Sequence, residues 1–310
     1  MGKHILVVGS INMDLVLPIE KMPDGGETLF GKTYTYIPGG KGSNQAVAAA
    51  RIGAQVSFCG RVGQDSNGKM LVENMKNEGI DVSFIKHDET SPTGLAVIPV
   101  ESDGQNRIIV IPGTNMDVCP ADAERALAAG CDAVIMQLEI PLPTVFETLA
   151  AAQERGIPVV LDAGPAMELP LEKLNGIDII SPNESETFAL TGINPDCEET
   201  AKAAAACLYE RCKAKYVVLK LGKRGAMVYD GAAAEIIETF LEVKPVDTTA
   251  AGDSFTAAMT LKWLEHGDLR RAVRYAHAVA TLCVSREGAQ PSLPTAAEVE
   301  EFLARRRLAE

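Results

Sequence analysis

Asp253 follows three residues with almost no side chain, Ala250, Ala251 and Gly252, and precedes apolar residues at helical spacing: Phe255, Ala258, Met259, Leu261, Trp263 and Leu264. The segment predicts a small-residue turn feeding a helix N-terminus. The first amides of such a helix have no partner within it, and its dipole favours negative charge. A carboxylate at the mouth of this anion site can take a proton from a hydroxyl. The amides of Ala250 to Asp253 can meanwhile hold the charge of a transferring phosphoryl group. The competing reading makes Asp253 an ordinary helix cap, a role Asp favours.

A second segment, Gly39-Gly40-Lys41-Gly42-Ser43-Asn44-Gln45-Ala46, packs three glycines into four residues and continues into an Ala-rich run that stops at Gly53. Glycines permit backbone shapes and close ligand approach that a Cβ blocks, and the Ala run predicts a helix. Asn12 and Asp14, two apart after an apolar strand signal, share one face if the segment is extended, or sit in an Asx turn if it is not. Glu139 lies just past a predicted central strand, at the kind of strand end where open α/β sheets gather ligands. The run from Gly63 to Lys69 is close to a phosphate-loop pattern, but Met70 stands where the metal-binding Ser or Thr belongs. Capping of the next helix by Asp65 or Ser66 explains that run better. No Gly-x-Gly-x-x-Gly follows the first strand, so a dinucleotide site is unsupported.

Together, in this order and at this separation, the two glycine-bearing segments resemble the two signatures of the carbohydrate kinases related to ribokinase. The likeness runs over nearly the whole chain. It implies ATP-dependent phosphorylation of the C5 hydroxyl of D-ribose to D-ribose 5-phosphate, with Asp253 as the base and the amides of Ala250, Ala251 and Gly252 as the anion hole. Deoxyribose, a nucleoside or a ketohexose are the sibling substrates, and a catalytically silent sugar- or nucleotide-binding regulator is the reading from another class. The resemblance further implies that Asn12, Asp14, Gly40, Lys41 and Asn44 hold the sugar, with Glu139 as a further contact. Asn183 lies near the phosphates, and Glu186 organises Mg²⁺ through water, in keeping with that ion's reluctance to dehydrate. The loop carrying Lys220, Gly222 and Gly225 runs along the nucleotide phosphates and ribose, and His277 packs by the adenine. Asp247, Thr249, Cys283, Arg286, Gly288 and Ser292 ring an activating K⁺. Three positions depart from the family's usual form: Ser43 stands for Ala, Lys220 for Thr, and Asp162-Ala163-Gly164-Pro165 for Asn-Pro-Ala-Pro.

The elements that position these residues follow from periodicity. Short β-branched runs (5–8, 56–59, 133–136, 159–161, 177–180 and 216–219) alternate with helical stretches (71–78, 121–129, 145–155 and 201–211). That alternation predicts an α/β fold: a mainly parallel sheet with helices on both faces. From Ala250 onward three helical blocks are expected, broken at Gly267 and between Gly288 and Pro294. Two regions break the rhythm, residues 15–38 and 94–111. They predict strands at 15–19, 33–37, 94–100 and 107–111, the last two joined by a turn over 101–106. A sheet this small has to cover something. The resemblance makes it a lid over the sugar that clasps a second lid in a homodimer.

At 310 residues and 46% hydrophobic content the chain supports one domain with this lid as an appendage. A formal charge of −13 argues against a nucleic-acid partner, though not against ATP, which local amides and a few cations hold. No apolar run approaches the ~18–20 residues of a bilayer span, and the N-terminal apolar run is too short for a signal peptide. The seven cysteines form no Cys-x-x-Cys pair and the four histidines show no ligand spacing. Reduced thiols in a cytoplasmic protein are expected.

Overall fold

The computed structural model describes residues 2–103 and 105–307. Gly104, within the turn expected over 101–106, lies outside the described residues. In chain order β1 (His4–Val8), β2 (Asn12–Pro18) and β3 (Thr35–Gly39) lead to α1 (Lys41–Arg51), followed by β4 (Gln55–Gly63), α2 (Ser66–Asn77) and β5 (Asp81–Asp88). Next come β6 (Gly94–Val100), β7 (Ile109–Ile111), α3 (Pro120–Leu127), β8 (Ala133–Met136), α4 (Leu142–Glu154), β9 (Val159–Leu161) and β10 (Ile179–Ile180). The remainder is α5 (Glu184–Thr191), α6 (Glu198–Cys212), β11 (Tyr216–Lys220), β12 (Ala226–Tyr229), β13 (Ala234–Ile237), α7 (Ala251–His266), α8 (Leu269–Val284) and α9 (Ala296–Arg307).

Among the described residues, nine strands form one sheet in the order β13-β12-β11-β10-β9-β8-β1-β4-β5. It is parallel from β5 through β11, and the β12–β13 hairpin closes the edge antiparallel. Helices cover both faces, as the expected fold requires. Within β1, Ile5 and Val7 enter one apolar layer with α1, α2, α7 and α8, while Leu6 and Val8 enter the other with α3, α4 and α6. Burial on both faces is why such strands read as unbroken apolar runs. Of the strands that pattern passed over, β5 and β13 lie at the sheet edges, where a wetter face mixes polar residues into the run, and β12 is a buried run of four residues next to β13.

A separate four-stranded sheet runs β3-β2-β6-β7. Its β2 and β6 pair in parallel because each leaves the carboxyl edge of the large sheet, after β1 and β5 respectively. The expected strand over 107–111 shortens to Ile109–Ile111, since Arg107 turns back to ion-pair with Glu101 at 2.8 Å. The strand expected over 177–180 begins at Ile179, because the Ile177 amide closes a turn on the Leu174 carbonyl. Asp65 caps α2 by accepting from the Gly68 amide at 2.8 Å, as the failed phosphate-loop pattern suggested. No helix among the described residues is long and apolar enough to cross a membrane.

Candidate active site

Parallel strands put their carboxyl ends on one edge of the sheet. That edge collects Ser10 and Asn12 after β1, Glu139 after β8, Asp162 after β9, Asn183 after β10 and Lys220 at the end of β11. Facing them is the N-terminus of α7. Ala250, held left-handed at φ 60°, is its cap residue and makes no side-chain capping bond. Asp253 therefore sits in the first helical turn and is not the cap. The Ala251 amide donates to the Thr248 carbonyl at 3.3 Å. The amides of Gly252 and Asp253 remain among those a helix start leaves without an internal acceptor.

Asp253 is buried, and its Oδ2 accepts from Asn44 Nδ2 at 2.9 Å. Its Oδ1 lies 3.8 Å from Lys41 Nζ and has no hydrogen bond. Burial pushes the Asp253 carboxyl up to about 6; the Lys41 ammonium opposes that shift and the negative Asp162 adds to it. Four carboxylates, Asp253, Asp162, Glu139 and Glu186, overcome burial and keep the Lys41 ammonium protonated well above the ordinary lysine range. The site thus holds a carboxylate at a pKa suited to taking a proton near neutral pH, with one oxygen left without a hydrogen-bond partner.

The sugar-side residues converge on that oxygen. Gly40 adopts φ 91°, which lets the chain turn from β3 into α1 directly over β2. Gly42 packs on the Ser10 backbone so closely that a Cβ would lie 2.7 Å from the Ser10 amide. Ser10 Oγ donates to Glu139 Oε2 at 2.5 Å, and the Lys41 amide donates to the same oxygen at 3.1 Å. Asn12 Oδ1 accepts from Asn115 Nδ2 at 2.6 Å. The Asp14 carboxylate lies over Gly39, where a Cβ would overlap it. Burial, then the negative charges of Glu139 and Asp253, push Asp14 up to about 7. Asn44 Oδ1 is a second buried acceptor without a partner.

On the other side of Asp253 opens a cleft of about 980 Å³, lined by Asn183, Lys220, Gly225, Ala251, Gly252 and His277. Asn183 caps α5 through a reciprocal pair with Glu186: its amide donates to Glu186 Oε2 at 2.7 Å and its Oδ1 accepts the Glu186 amide at 2.9 Å. Gly222 and Gly225 take positive φ in the turn between β11 and β12. Burial drives His277 down to about 4, so the ring is neutral. Its Nε2–H donates to the Ile237 carbonyl at 3.0 Å, and the ring leans on Phe255. Such a cleft, lined by both a flat ring and a helix N-terminus, has the volume and chemistry of a small-molecule site.

Residues 3–296 match the pattern of the pfkB family carbohydrate kinases. The chain belongs to that family. It is 39% identical over 305 residues to the ribokinase of Haemophilus influenzae, covering 98% of this chain and 99% of that one. It is 41% identical over 297 residues to the bifunctional ribokinase/ribose-5-phosphate isomerase A of Fructilactobacillus sanfranciscensis, covering 94% of this chain and spanning 55% of that longer protein. The structure of Arabidopsis thaliana ribokinase complexed with ribose and ATP superposes with a TM-score of 0.90 at 35% identity, covering 98% and 99% of the two chains.

The residues expected around K⁺ also meet in space. Asp247 Oδ2 accepts from the Gly288 amide at 2.9 Å and Oδ1 accepts from the Thr249 amide at 2.9 Å. Burial pushes the Asp247 carboxyl up, but these bonds and the Thr249 hydroxyl hold it below its ordinary value. Cys283 Sγ lies 3.1 Å from Ser292 Oγ and 3.6 Å from the Thr249 carbonyl. Arg286 turns its guanidinium outward to Glu298, so it could offer only backbone to an ion there. Two residues of the site, Ser10 and Asn115, had no motif to announce them, and Gln45 stood inside the second glycine-bearing segment with no role assigned to it. A polar side chain next to a glycine turn at the end of a buried strand is the one signal Ser10 carried. Asn115 reaches the site from a sequence distance of 103 residues, and nothing local marks it.

Proposed function

We propose that this protein transfers the γ-phosphoryl group of ATP to the C5 hydroxyl of D-ribose, with Asp253 as general base. The carrying observation is the bare, buried Oδ1 of Asp253, standing between the sugar-side cradle and the nucleotide-sized cleft, on the first turn of α7. The hydroxyl oxygen bonds to the γ-phosphorus as the bond to the β–γ bridging oxygen breaks. Its proton passes to Asp253, and the products are ribose 5-phosphate and ADP. Asn12, Asp14, Lys41, Asn44 and Glu139 bind and orient the sugar; a hydroxyl both donates and accepts, which suits carboxylate and amide partners. The free amides at the start of α7 take the developing charge. Glu186, buried at the cleft with one oxygen spent on its cap, fits Mg²⁺ that keeps most of its water, and the ion would neutralise phosphate charge. The unpaired state of all seven cysteines is consistent with a cytoplasmic, reducing location. A coupled assay of ADP release across ribose, deoxyribose, fructose and adenosine tests the reading: highest kcat/KM with ribose is expected, and preference for another acceptor overturns it.

The ionised Asp247, the Thr249 carbonyl and the Ser292 hydroxyl fit a monovalent cation bracing the turn into α7. Turnover at fixed Mg²⁺-ATP and ribose should then rise severalfold when K⁺ at about 0.1 M replaces Na⁺ of equal ionic strength. Identical rates in the two salts refute the site.

The small sheet closes the sugar side with the face that carries Asn12 and Asp14. Tyr36, Leu15, Val97 and Ile109 pair in register on its other face, with Tyr36 and Ile109 exposed. That face supports a two-fold dimer in which two lids clasp. Light scattering at micromolar concentration should give twice the chain mass, and Val97→Asp or Ile109→Asp should halve it. A wild-type particle of one chain's mass refutes the clasp.

A further inference from the structure

We propose that Lys220 binds the terminal phosphates of the nucleotide and that Asp162 is the residue that positions its ammonium; the proposal rests on the nucleotide reading of the cleft. Lys220 Nζ donates to Asp162 Oδ1 at 2.5 Å, the one hydrogen bond of that ammonium among the described residues. A Cβ built on Gly252 would lie 3.5 Å from the same nitrogen. The ammonium therefore hangs beside the first turn of α7, next to the amides that face the cleft, and Lys220 itself lines that cleft. An ammonium has three protons. One is spent on Asp162, and the others are left to face an anion arriving at the helix end.

Asp162 is built to hold the lysine there. It is fully buried, and its Oδ2 accepts from Gln45 Nε2 at 2.9 Å. Gln45 is fixed in turn, its Oε1 accepting from Gln137 Nε2 at 2.5 Å. The carboxylate is thus locked from behind by two buried amides, and Lys220 answers its charge from the front. Lys41, the other ammonium beside the start of α7, also lines the cleft and stands 3.8 Å from Asp253 Oδ1. Of these two cations, Lys220 is the one hydrogen-bonded to Asp162. The pairing also accounts for two departures from the family's usual form together, at positions 162 and 220, which meet in space as complementary charges.

A double-mutant cycle separates this role from a structural one. Lys220→Thr leaves the fully buried Asp162 carboxylate without its cation and Asp162→Asn leaves the partly buried Lys220 ammonium without its anion, so both should lower the melting temperature. The double variant carries no net charge at the pair and should recover most of that stability. Its kcat/KM for ATP should stay about 10- to 100-fold below wild type, the size of one charge-assisted hydrogen bond, with the KM for sugar little changed. Binding measured by calorimetry gives a second readout independent of turnover. Lys220→Thr should weaken ATP by a comparable factor and leave AMP, which lacks the terminal phosphates, unchanged. Recovery of ATP kcat/KM along with stability in the double variant, or equal loss of ATP and AMP affinity in Lys220→Thr, overturns the proposal. Wild-type protein that binds ATP no better than AMP overturns it as well. Wild-type protein that binds ATP tightly yet phosphorylates no sugar instead overturns the kinase reading and leaves the binding comparison intact.

Discussion

Asp253→Asn should lower kcat by at least ~10²-fold, the scale of general-base catalysis, with little change in ribose affinity. Asn keeps the size of the side chain and a carbonyl oxygen for Asn44 Nδ2, but it cannot take the proton. The pH profile identifies the cause. In kcat/KM for ribose, the free enzyme's groups set the acid side. With Asp14 raised to about 7 and Asp253 to about 6, activity should fall tenfold per pH unit below 7 and more steeply below 6. In Asp253→Asn the steeper step disappears and the step near 7 remains. The stability sign runs the other way. The folded state holds the Asp253 proton more tightly than the unfolded chain, so ionising it costs stability as pH rises from the ordinary carboxylate range through about 6. At pH 8 the variant is therefore expected to melt no lower than wild type. Normal turnover in folded Asp253→Asn removes this residue from the chemistry.

Deoxyribose should be the poorer acceptor by about 10- to 100-fold in kcat/KM, because a missing hydroxyl leaves a buried polar group of the cradle unpaired. Asp14 and Asn12 carry this expectation. Both are buried on one face of the small sheet, and Asn12 is already oriented by Asn115. Asp14→Asn should raise the ribose KM more than it lowers kcat, narrow the gap between the two sugars, and abolish the step near pH 7. Gly39→Ala offers an independent check, since its Cβ would push the Asp14 carboxylate aside without touching the charge. It should mimic the KM effect of Asp14→Asn while keeping a titration from Asp14. Equal kcat/KM for ribose and deoxyribose in wild-type protein refutes the assignment to ribose.

The order of strands and helices was legible in the chain because a strand buried on both faces needs an unbroken apolar run, and β1, β8 and β9 have one. The turn into α7 was legible for a related reason: Ala250, Ala251 and Gly252 leave no side chains over the amides, and that absence is itself a sequence feature. Glycine clustering before α1 announced a close backbone approach, and Gly40 and Gly42 make it against β2 and Ser10. What local pattern left open was whether Asp253 capped the helix or faced the site. Only the structure decided, by giving the cap position to Ala250 and leaving Asp253 Oδ1 bare.

The partners of the charged residues belonged entirely to the tertiary structure. Asn44 meets Asp253 across 209 residues, Gln45 meets Asp162 across 117 and Lys220 meets Asp162 across 58. Periodicity reports which face of an element is apolar, and it says nothing about which strand ends lie side by side. That adjacency comes from the strand order, in which β9, β10 and β11 bring Asp162 and Lys220 to one edge while β1 stands on the far side of β8. The same order explains why Lys220 looked at first like a plain substitution in a nucleotide loop. Its meaning depends on a carboxylate two strands away, and a carboxylate buried there, unlike one in solvent, must either keep its proton or find a cation, which Lys220 supplies.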